Sequence, residues 1–74
     1  MNNDYVFILS FHSLKDAYVI DVFTLEKLAE IEMHRCMDVC QDECLDYDMP
    51  YDDTTRYFTI RGTYVIERKK LRSS

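Results

Sequence analysis

Two runs of β-branched and aromatic residues lie near the start of the chain. YVFILSFH at 5–12 and AYVIDVFT at 17–24 flank the polar segment 13–16. Two such runs joined by a short polar segment are typical of a β-hairpin. Both faces of the first run are apolar, a pattern typical of a central strand that is covered on both sides.

A helical pattern follows the second run. The chain from Leu25 to Leu45 contains no Gly or Pro, Thr24 is a suitable N-cap, and Glu26 lies near the positive end of the helix dipole. The sequence therefore predicts one helix that ends at about Leu45. At 100° per residue the apolar side chains gather on one stripe, which we expect to pack on the sheet. The stripe consists of Leu25, Leu28, Ala29, Met33, Cys36, Val39 and Cys40.

The last third of the chain has the pattern of a second hairpin. Residues 46–53 contain Pro50, the single proline, which favours a loop after the helix. TTRYFTIR at 54–61 and TYVIERKK at 63–70 lie on either side of Gly62 and predict two strands. Residues 71–74 are expected to be a frayed tail. The predicted inward positions are Phe58, Ile60, Tyr64 and Ile66.

These elements predict a single α+β domain over residues 1–74. The order ββαββ favours a four-stranded antiparallel sheet with one helix on one face. A chain of 74 residues buries only about 60% of the surface that its unfolded form exposes. The sheet face without a helix should therefore be covered by a second copy or by another protein. The residues predicted on that face are Val6, Ile8, Val19, Phe23, Tyr57 and Val65.

Composition indicates a folded cytoplasmic protein. Hydrophobic residues make up 47% of the chain and charged residues 31%, as in globular domains. The apolar run from Tyr5 to Leu9 follows an acid and precedes no small-residue cleavage site, so we predict no secretory signal. No apolar stretch reaches the length of a membrane span, which predicts no membrane association. Three cysteines cannot all pair within one monomer, which favours a reducing compartment.

The charges are unevenly distributed along the chain. Thirteen of the fourteen acids but only three of the nine basic residues lie in 1–55, and no Lys or Arg occurs between Arg35 and Arg56. Acids steer association with a basic surface, and interleaved tyrosines supply anchors. The predicted partner-binding residues are Asp38, Asp42, Glu43, Asp46, Tyr47, Asp48, Tyr51, Asp52 and Asp53.

Two other uses of these acids are weighed against partner binding. A charge run is commonly a solvated face that keeps a protein in solution. A calcium loop needs a glycine at its sixth position and a glutamate at its twelfth. A loop that started at Asp46 would have Tyr51 and Tyr57 there. We therefore predict no calcium site, and solubility remains the alternative to partner binding.

The cysteines favour a structural role. Cys36, Cys40 and Cys44 are four residues apart on the predicted helix. On a regular helix Cys36 and Cys44 would be about 12 Å apart, which is too far for both to bind one zinc ion. His34 points away from Cys36 and Cys40, so a metal site would need ligands from elsewhere. We predict no metal and no cofactor.

Catalytic and nucleic-acid functions receive little support. Ser10 and His12 project from the same face of the first strand, but no acid is identified to orient the histidine, and no phosphate-binding glycine loop occurs. We therefore predict no enzyme activity. The second hairpin is basic and aromatic and favours either nucleic-acid binding or pairing with the acidic segment of the same molecule or a second subunit. The acidic net charge of −5 favours pairing. The basic residues are Arg56, Arg61, Arg68, Lys69, Lys70 and Arg72.

The sequence thus indicates a small binding protein without catalysis. The hypothesis that it favours is an inhibitor whose acidic segment blocks a basic, nucleic-acid-handling site on a protein partner, as a DNA mimic does. In size and charge the chain is of the same type as phage-encoded inhibitors of host defence, including anti-CRISPR proteins, although no residue motif links it to them. The alternative is a structural or regulatory homodimerisation module whose acidic segment only confers solubility.

Overall fold

A computed structural model describes residues 5–70 as one helix packed on one sheet. The strands are β1 (Tyr5–His12), β2 (Ala17–Phe23), β3 (Asp46–Tyr51), β4 (Thr54–Phe58) and β5 (Thr63–Lys70), and the helix α1 covers Glu26–Cys40. All neighbouring strands are antiparallel, in the order β2-β1-β5-β4-β3. The α+β prediction is confirmed, but the sheet has five strands, not four. The predicted tail at 71–74 lies outside the described residues.

Both predicted hairpin turns are present. In the first, the Ser13 hydroxyl accepts hydrogen bonds from the backbone N–H groups of Lys15 and Asp16. In the second, the backbones of Thr59 and Gly62 bond to each other. A Cβ at position 62 would lie 2.5 Å from the carbonyl oxygen of His12. The glycine is therefore required because the turn passes close to the end of β1.

The core lies between α1 and the centre of the sheet. β1 pairs with both β2 and β5, as predicted for a central strand. Buried side chains of β1 and β5 face each other across the sheet, Leu9 opposite Ile66 and Phe11 opposite Tyr64. The helix adds Ala29, Met33 and Met37.

The buried stripe of α1 is narrower than predicted. Ala29, Met33 and Met37 form a single i, i+4 row, and Cys36 is half-buried beside it. One row suffices because a lone helix contacts a sheet along one line of side chains. Met37 was missed by the sequence pattern, and four predicted members of the stripe are exposed: Leu25, Leu28, Val39 and Cys40.

Both ends of α1 differ from the prediction. The N-cap is Leu25, not Thr24, and it makes no side-chain capping bond. The helix ends at Cys40, about one turn before Leu45. Gln41 adopts the left-handed conformation with φ 58°, and the Asp42 N–H donates to the Met37 carbonyl. This is the geometry of a Schellman-type C-cap, which stops the helix.

The acidic segment predicted as a loop forms the edge strand β3. Asp46, Tyr47 and Asp48 pair with Phe58, Tyr57 and Arg56 of β4. The register shifts between Asp48 and Tyr51, and Pro50 lies within that shift. Proline is tolerated there because an edge strand needs no partner for its outward side.

The sheet has one face under the helix and one open face, and two residues predicted on the open face lie under the helix. Phe23 and Tyr57 pack against the core, opposite Phe7 and Tyr64. A register shift between β1 and β2 changes the alternation in β2, which moves Phe23 to the other face from Val19. The open face carries the apolar residues Val6, Ile8, Val19, Val22, Phe58 and Val65.

Two of the four predicted inward positions are correct. Tyr64 and Ile66 are buried. Phe58 pairs with Thr63 and therefore lies on the open face, because its neighbour Tyr57 is the residue that faces Tyr64. Ile60 lies in the β4–β5 turn and is 84% exposed.

No helix in residues 5–70 has the length and apolar character needed to cross a membrane.

Candidate partner-binding surface

The acidic segment follows one edge of the sheet. It begins after α1, continues through β3 and ends in the turn at 52–53. Among the strands of residues 5–70, β3 pairs only with β4, so its other side is free. Tyr47, Met49 and Tyr51 of this strand are all more than half exposed. The sequence therefore places carboxylates and tyrosines together on an outer strand.

Asp42 is an internal ion-pair partner. Its side chain is only 2% exposed, and both carboxylate oxygens accept hydrogen bonds from Nε of Arg61 at 2.8 and 3.0 Å. These bonds raise the pKa of Arg61 above its usual value. The Arg61 guanidinium also lies 5.4 Å from the centre of the Phe11 ring. Asp42 therefore ties the end of the helix to the β4–β5 turn and is not offered to a partner.

Asp48 is paired in a similar way. Nε and Nη2 of Arg56 donate to its two carboxylate oxygens at 2.8 and 2.6 Å. This bidentate pair lowers the pKa of Asp48 and raises that of Arg56. The Arg56 guanidinium also lies 5.4 Å from the centre of the Phe58 ring. The pair fastens β3 to β4, as the two residues face each other across the strands.

These two pairs decide between the interpretations of the basic hairpin. Arg56 and Arg61 bind acids of the same molecule, so the intramolecular pairing considered from the sequence is confirmed for them. Arg68 lies over the ring of Tyr5, with 4.8 Å to its centre. Lys69 and Lys70 are exposed at the end of β5. Arg72 lies outside the described residues.

The remaining predicted acids and tyrosines form an exposed group that we name the acidic edge. The predicted residue Asp38 is exposed too, but it lies on α1 roughly 180° around the helix from Ala29, away from the sheet. It is therefore not part of the group. The acidic edge consists of Glu43, Asp46, Tyr47, Tyr51, Asp52 and Asp53.

The two tyrosines of the acidic edge differ in their contacts and exposure. The Tyr47 ring stacks on Tyr57, with 6.1 Å between ring centres. Tyr57 packs against the core, and its pKa is raised mainly by burial and further by Glu30 and Glu26 of α1. The Tyr47 ring is thus supported by the packed Tyr57 ring, whereas Tyr51 lies at the end of the strand and is more exposed.

Both outer strands of the sheet are protected against pairing with another strand. In β3 the Asp46 carboxylate accepts the N–H of Tyr47, and in β2 the Asp21 carboxylate accepts the N–H of Val22, each at 2.8 Å. Each strand also has a register shift against its neighbour. Such irregularities and charges disfavour extension of a sheet by another strand. A partner should therefore contact side chains of these edges.

The three cysteines do not share one helix. Cys36 is half-buried on α1, Cys40 ends the helix and Cys44 lies beyond it. Burial, followed by the nearby Glu32 carboxylate, raises the pKa of the Cys36 thiol. The Cys44 thiol donates to the Asp46 carbonyl at 3.3 Å. In the part of the chain that the structure describes, no three His, Cys, Asp or Glu residues are grouped so as to hold a metal ion.

Ser10 and His12 form a hydrogen-bonded pair on the open face. The Ser10 hydroxyl lies 3.1 Å from Nε2 of His12. The cross-strand neighbours of Ser10 are Val19 and Val65, and those of His12 are Ala17 and Thr63. None of these four residues carries a carboxylate. The pair therefore has no acid beside it in the sheet to orient the histidine as a general base.

No protein-family model, curated protein or solved structure matches this chain. The surface must therefore be interpreted from its own chemistry. Sequence reasoning identified the exposed acids and tyrosines of the edge as candidates. It missed Met49, which lies between Tyr47 and Tyr51 and is equally exposed. The register shift between Asp48 and Tyr51 inserts one extra residue here, so Tyr51 pairs with Thr54 and lies on the opposite face of the sheet from Tyr47, which pairs with Tyr57.

Proposed function

We propose that the protein is a small, non-catalytic binding protein whose acidic edge blocks a basic, nucleic-acid-handling site on a protein partner. The observation that carries this proposal is that the acids of the segment fall into two groups, those in ion pairs within the chain and those exposed to solvent. Asp42 and Asp48 are bound by arginines of the same chain, while the carboxylates of the acidic edge are exposed beside Tyr47 and Tyr51. Within residues 5–70 the exposed acids of the edge form no ion pair with a Lys or Arg.

The dimensions of β3 agree with a nucleic-acid mimic. A strand rises about 3.3 Å per residue, so the exposed carboxylates of Asp46 at the start of β3 and Asp52 just after its end are separated by at most roughly 20 Å. Duplex DNA rises 3.4 Å per base pair, so the same length corresponds to about six base pairs of phosphates. Lys and Arg side chains that bind such phosphates are suited to bind these carboxylates. Tyr47 and Tyr51 would supply apolar contact area at the centre of the interface.

The chain is of the same type as phage-encoded inhibitors of host defence, including anti-CRISPR proteins, and this analogy guides the choice of assay. Such an inhibitor would compete with nucleic acid for the same basic groove. Its affinity would fall with rising salt, because screening weakens the attraction between exposed charges. The likeness is one of size and charge alone.

The test compares two variants with equal charge changes. The edge variant replaces Glu43→Gln, Asp46→Asn, Asp52→Asn and Asp53→Asn. The control variant replaces Asp16→Asn, Asp21→Asn, Glu32→Gln and Asp38→Asn, which lie in the first hairpin and on α1, away from β3. Immobilised wild-type protein is used to capture a nucleic-acid-binding protein from a host lysate, and duplex DNA is added as competitor.

We expect DNA to displace the captured protein, and the edge variant to lose it while the control retains it. Capture that is unchanged in the edge variant, or equally weakened in the control, would contradict the proposal. Loss of capture by Tyr47→Ala without a change in charge would identify the tyrosine as an anchor.

A homodimerisation module is the second candidate. It is favoured by the open face, where Val19 and Val22 are both at least half exposed next to the half-buried Val6 and Val65. In that case the acids confer solubility alone, and the edge variant would precipitate at lower concentration without losing any binding.

A further inference from the structure

The helix leaves part of the sheet uncovered on its own side. α1 packs on β1, β2 and β5, and within residues 5–70 its backbone contacts neither β3 nor β4. Tyr47 and Tyr57 face each other across β3 and β4 on the helix side, because Tyr57 packs against the core. The space between α1 and β3 is therefore a groove over these rings. We name it the tyrosine groove, formed by Glu26 and Glu30 of α1, Tyr57 of β4, and Tyr47 and Met49 of β3.

The tyrosine groove ends in a hollow of about 180 Å³. Its apolar lining consists of Phe7, Met49 and the buried Ile66. Its acidic lining comes from two separate parts of the fold, the start of α1 and the β3–β4 turn. The hollow therefore combines an apolar wall with carboxylates on both sides. The acidic lining residues are Glu26, Asp52 and Asp53.

The carboxylates around the tyrosine groove and its hollow are not neutralised by the chain. Within residues 5–70 none of the four forms an ion pair with a Lys or Arg. Arg68 lines the hollow, but its guanidinium lies over the Tyr5 ring, 4.8 Å from the ring centre. The pKa of Tyr57 is raised by burial and further by the charges of Glu30 and Glu26, so their negative potential reaches the floor of the groove.

We propose that the tyrosine groove receives an arginine side chain from a basic segment of the partner. That the partner is basic rests on the proposed function, and the groove adds which side chain it inserts and where. A guanidinium is planar, carries five N–H donors and stacks on aromatic rings, so it suits a site with both tyrosines and carboxylates. The aliphatic stem of the same side chain suits the apolar wall formed by Phe7 and Met49.

Two other occupants fit the tyrosine groove less well. A calcium ion needs six to eight oxygen ligands, and in the described part of the chain no three acidic, His or Cys side chains are grouped so as to hold a metal ion. A second copy of the chain would add its own net charge of −5 to a surface that is already negative. The charge of the groove therefore favours a cationic side chain of another protein.

The first test titrates the full chain with a peptide of four arginines and, as a control of equal charge, a peptide of four lysines. Tetra-arginine should shift the backbone NMR signals of β3, β4 and the first turn of α1 and leave those of β2 unchanged. It should bind at least about threefold more tightly than tetra-lysine, because arginine stacks better on tyrosine rings. Equal affinities, or shifts spread evenly over the chain, would overturn the proposal.

The second test uses variants with matched charge. Glu26→Gln with Glu30→Gln removes two charges from the groove and leaves the acidic edge intact, and it should weaken tetra-arginine binding at least about threefold. Asp16→Asn with Asp38→Asn removes the same charge elsewhere and should change the affinity less. Tyr47→Leu keeps the charge and should abolish the preference for arginine over lysine. Thermal unfolding of each variant checks that the fold is retained. Equal weakening by both charge variants would overturn the proposal.

Failure of this inference can be distinguished from failure of the proposed function. The same variants are used to capture the partner from the host lysate. A partner that is lost on the edge variant but retained by Glu26→Gln with Glu30→Gln would overturn the role of the groove and leave the proposed function standing. Tetra-arginine bound in the groove, with no nucleic-acid-binding protein captured, would support the groove and contradict the proposed function.

Discussion

The outer strand β3 and the residues around it expose mainly carboxylates and tyrosines, whereas the outer strand β2 exposes Tyr18, Val19 and Val22 beside a single carboxylate, that of Asp21. The helix lies over β2, β1 and β5, so β2 has the helix beside it and β3 is an outer strand without one. The placement of one helix thus separates a charged surface from an apolar one. A small domain can in this way offer two surfaces of different chemistry.

The two outer strands nevertheless share features that disfavour pairing with another strand. Each outer strand has an aspartate that accepts the N–H of the next residue, and each has a register shift. β3 also contains Pro50. Both strands therefore resist pairing with foreign strands, and what distinguishes the sides is their side chains. Recognition at either side should be sensitive to single side-chain substitutions.

Leu9→Ala should destabilise both sides of the sheet and should have the largest effect on the free energy of unfolding. Leu9 is fully buried in the central strand, opposite Ile66 and beneath the helix. Removal of a buried leucine side chain costs about 2–5 kcal/mol of unfolding free energy. Urea denaturation should show this loss, whereas Val22→Ala on the open face should stay within about 0.5 kcal/mol of wild type. Equal stability of the two variants would mean that the core is placed elsewhere.

Asp42→Asn should damage one side and spare the other. The change breaks the pair with Arg61 that holds the end of α1 against the β4–β5 turn. We expect a smaller loss of stability than for Leu9→Ala, because Arg61 remains half exposed to water. Hydrogen exchange should become faster in residues 41–51 and remain unchanged in β2. Faster exchange in β2 to the same degree would contradict the separation of the two sides.

The pH dependence should be the smallest effect and alike on both sides. Arginines lower the pKa of Asp48 on β3 and of Glu32 on α1. A carboxyl group with a lowered pKa in the folded state contributes stability above its unfolded pKa and loses it as pH falls through the folded value. Asp48→Asn and Glu32→Gln should therefore differ from wild type at pH 7 and converge with it as the pH falls below the ordinary pKa values of these carboxyl groups.

Thermal unfolding between pH 7 and pH 2.5 measures this convergence, with Asp16→Asn as the control. Both ion pairs are partly exposed, so the differences at neutral pH should be small. A difference that grows as the pH falls would show that the arginines do not stabilise the ionised carboxylates.

The sequence predicted the elements that have a strong hydrophobic signal. The first hairpin and the β5 strand contain runs of β-branched and aromatic residues, and α1 has an apolar row at helical spacing, so these elements were recognised. β3 was not, because no side chain of Asp46–Tyr51 is fully buried and its Asp and Pro residues are typical of loops. An outer strand formed by pairing alone has no hydrophobic pattern to reveal it.

The candidate site was predictable in composition but not in its internal pairing. The acids and tyrosines were found by their spacing, whereas Asp42 and Asp48 were grouped with the exposed ones. Asp42 meets Arg61 only because Gln41 ends the helix one turn early. Phe23 was assigned to the wrong face because a single extra residue in β2 reverses the alternation. Local irregularities of this kind are not visible in the hydrophobic periodicity of the sequence.

The brace between Asp42 and Arg61 has a consequence for the kinetics of recognition. It connects the segment after the helix to a guanidinium that itself rests on the Phe11 ring of the core. The start of the acidic edge is therefore tied to the core of the domain. A partner would not have to order a flexible tail, and association would escape the entropy cost that disordered acidic segments incur on binding.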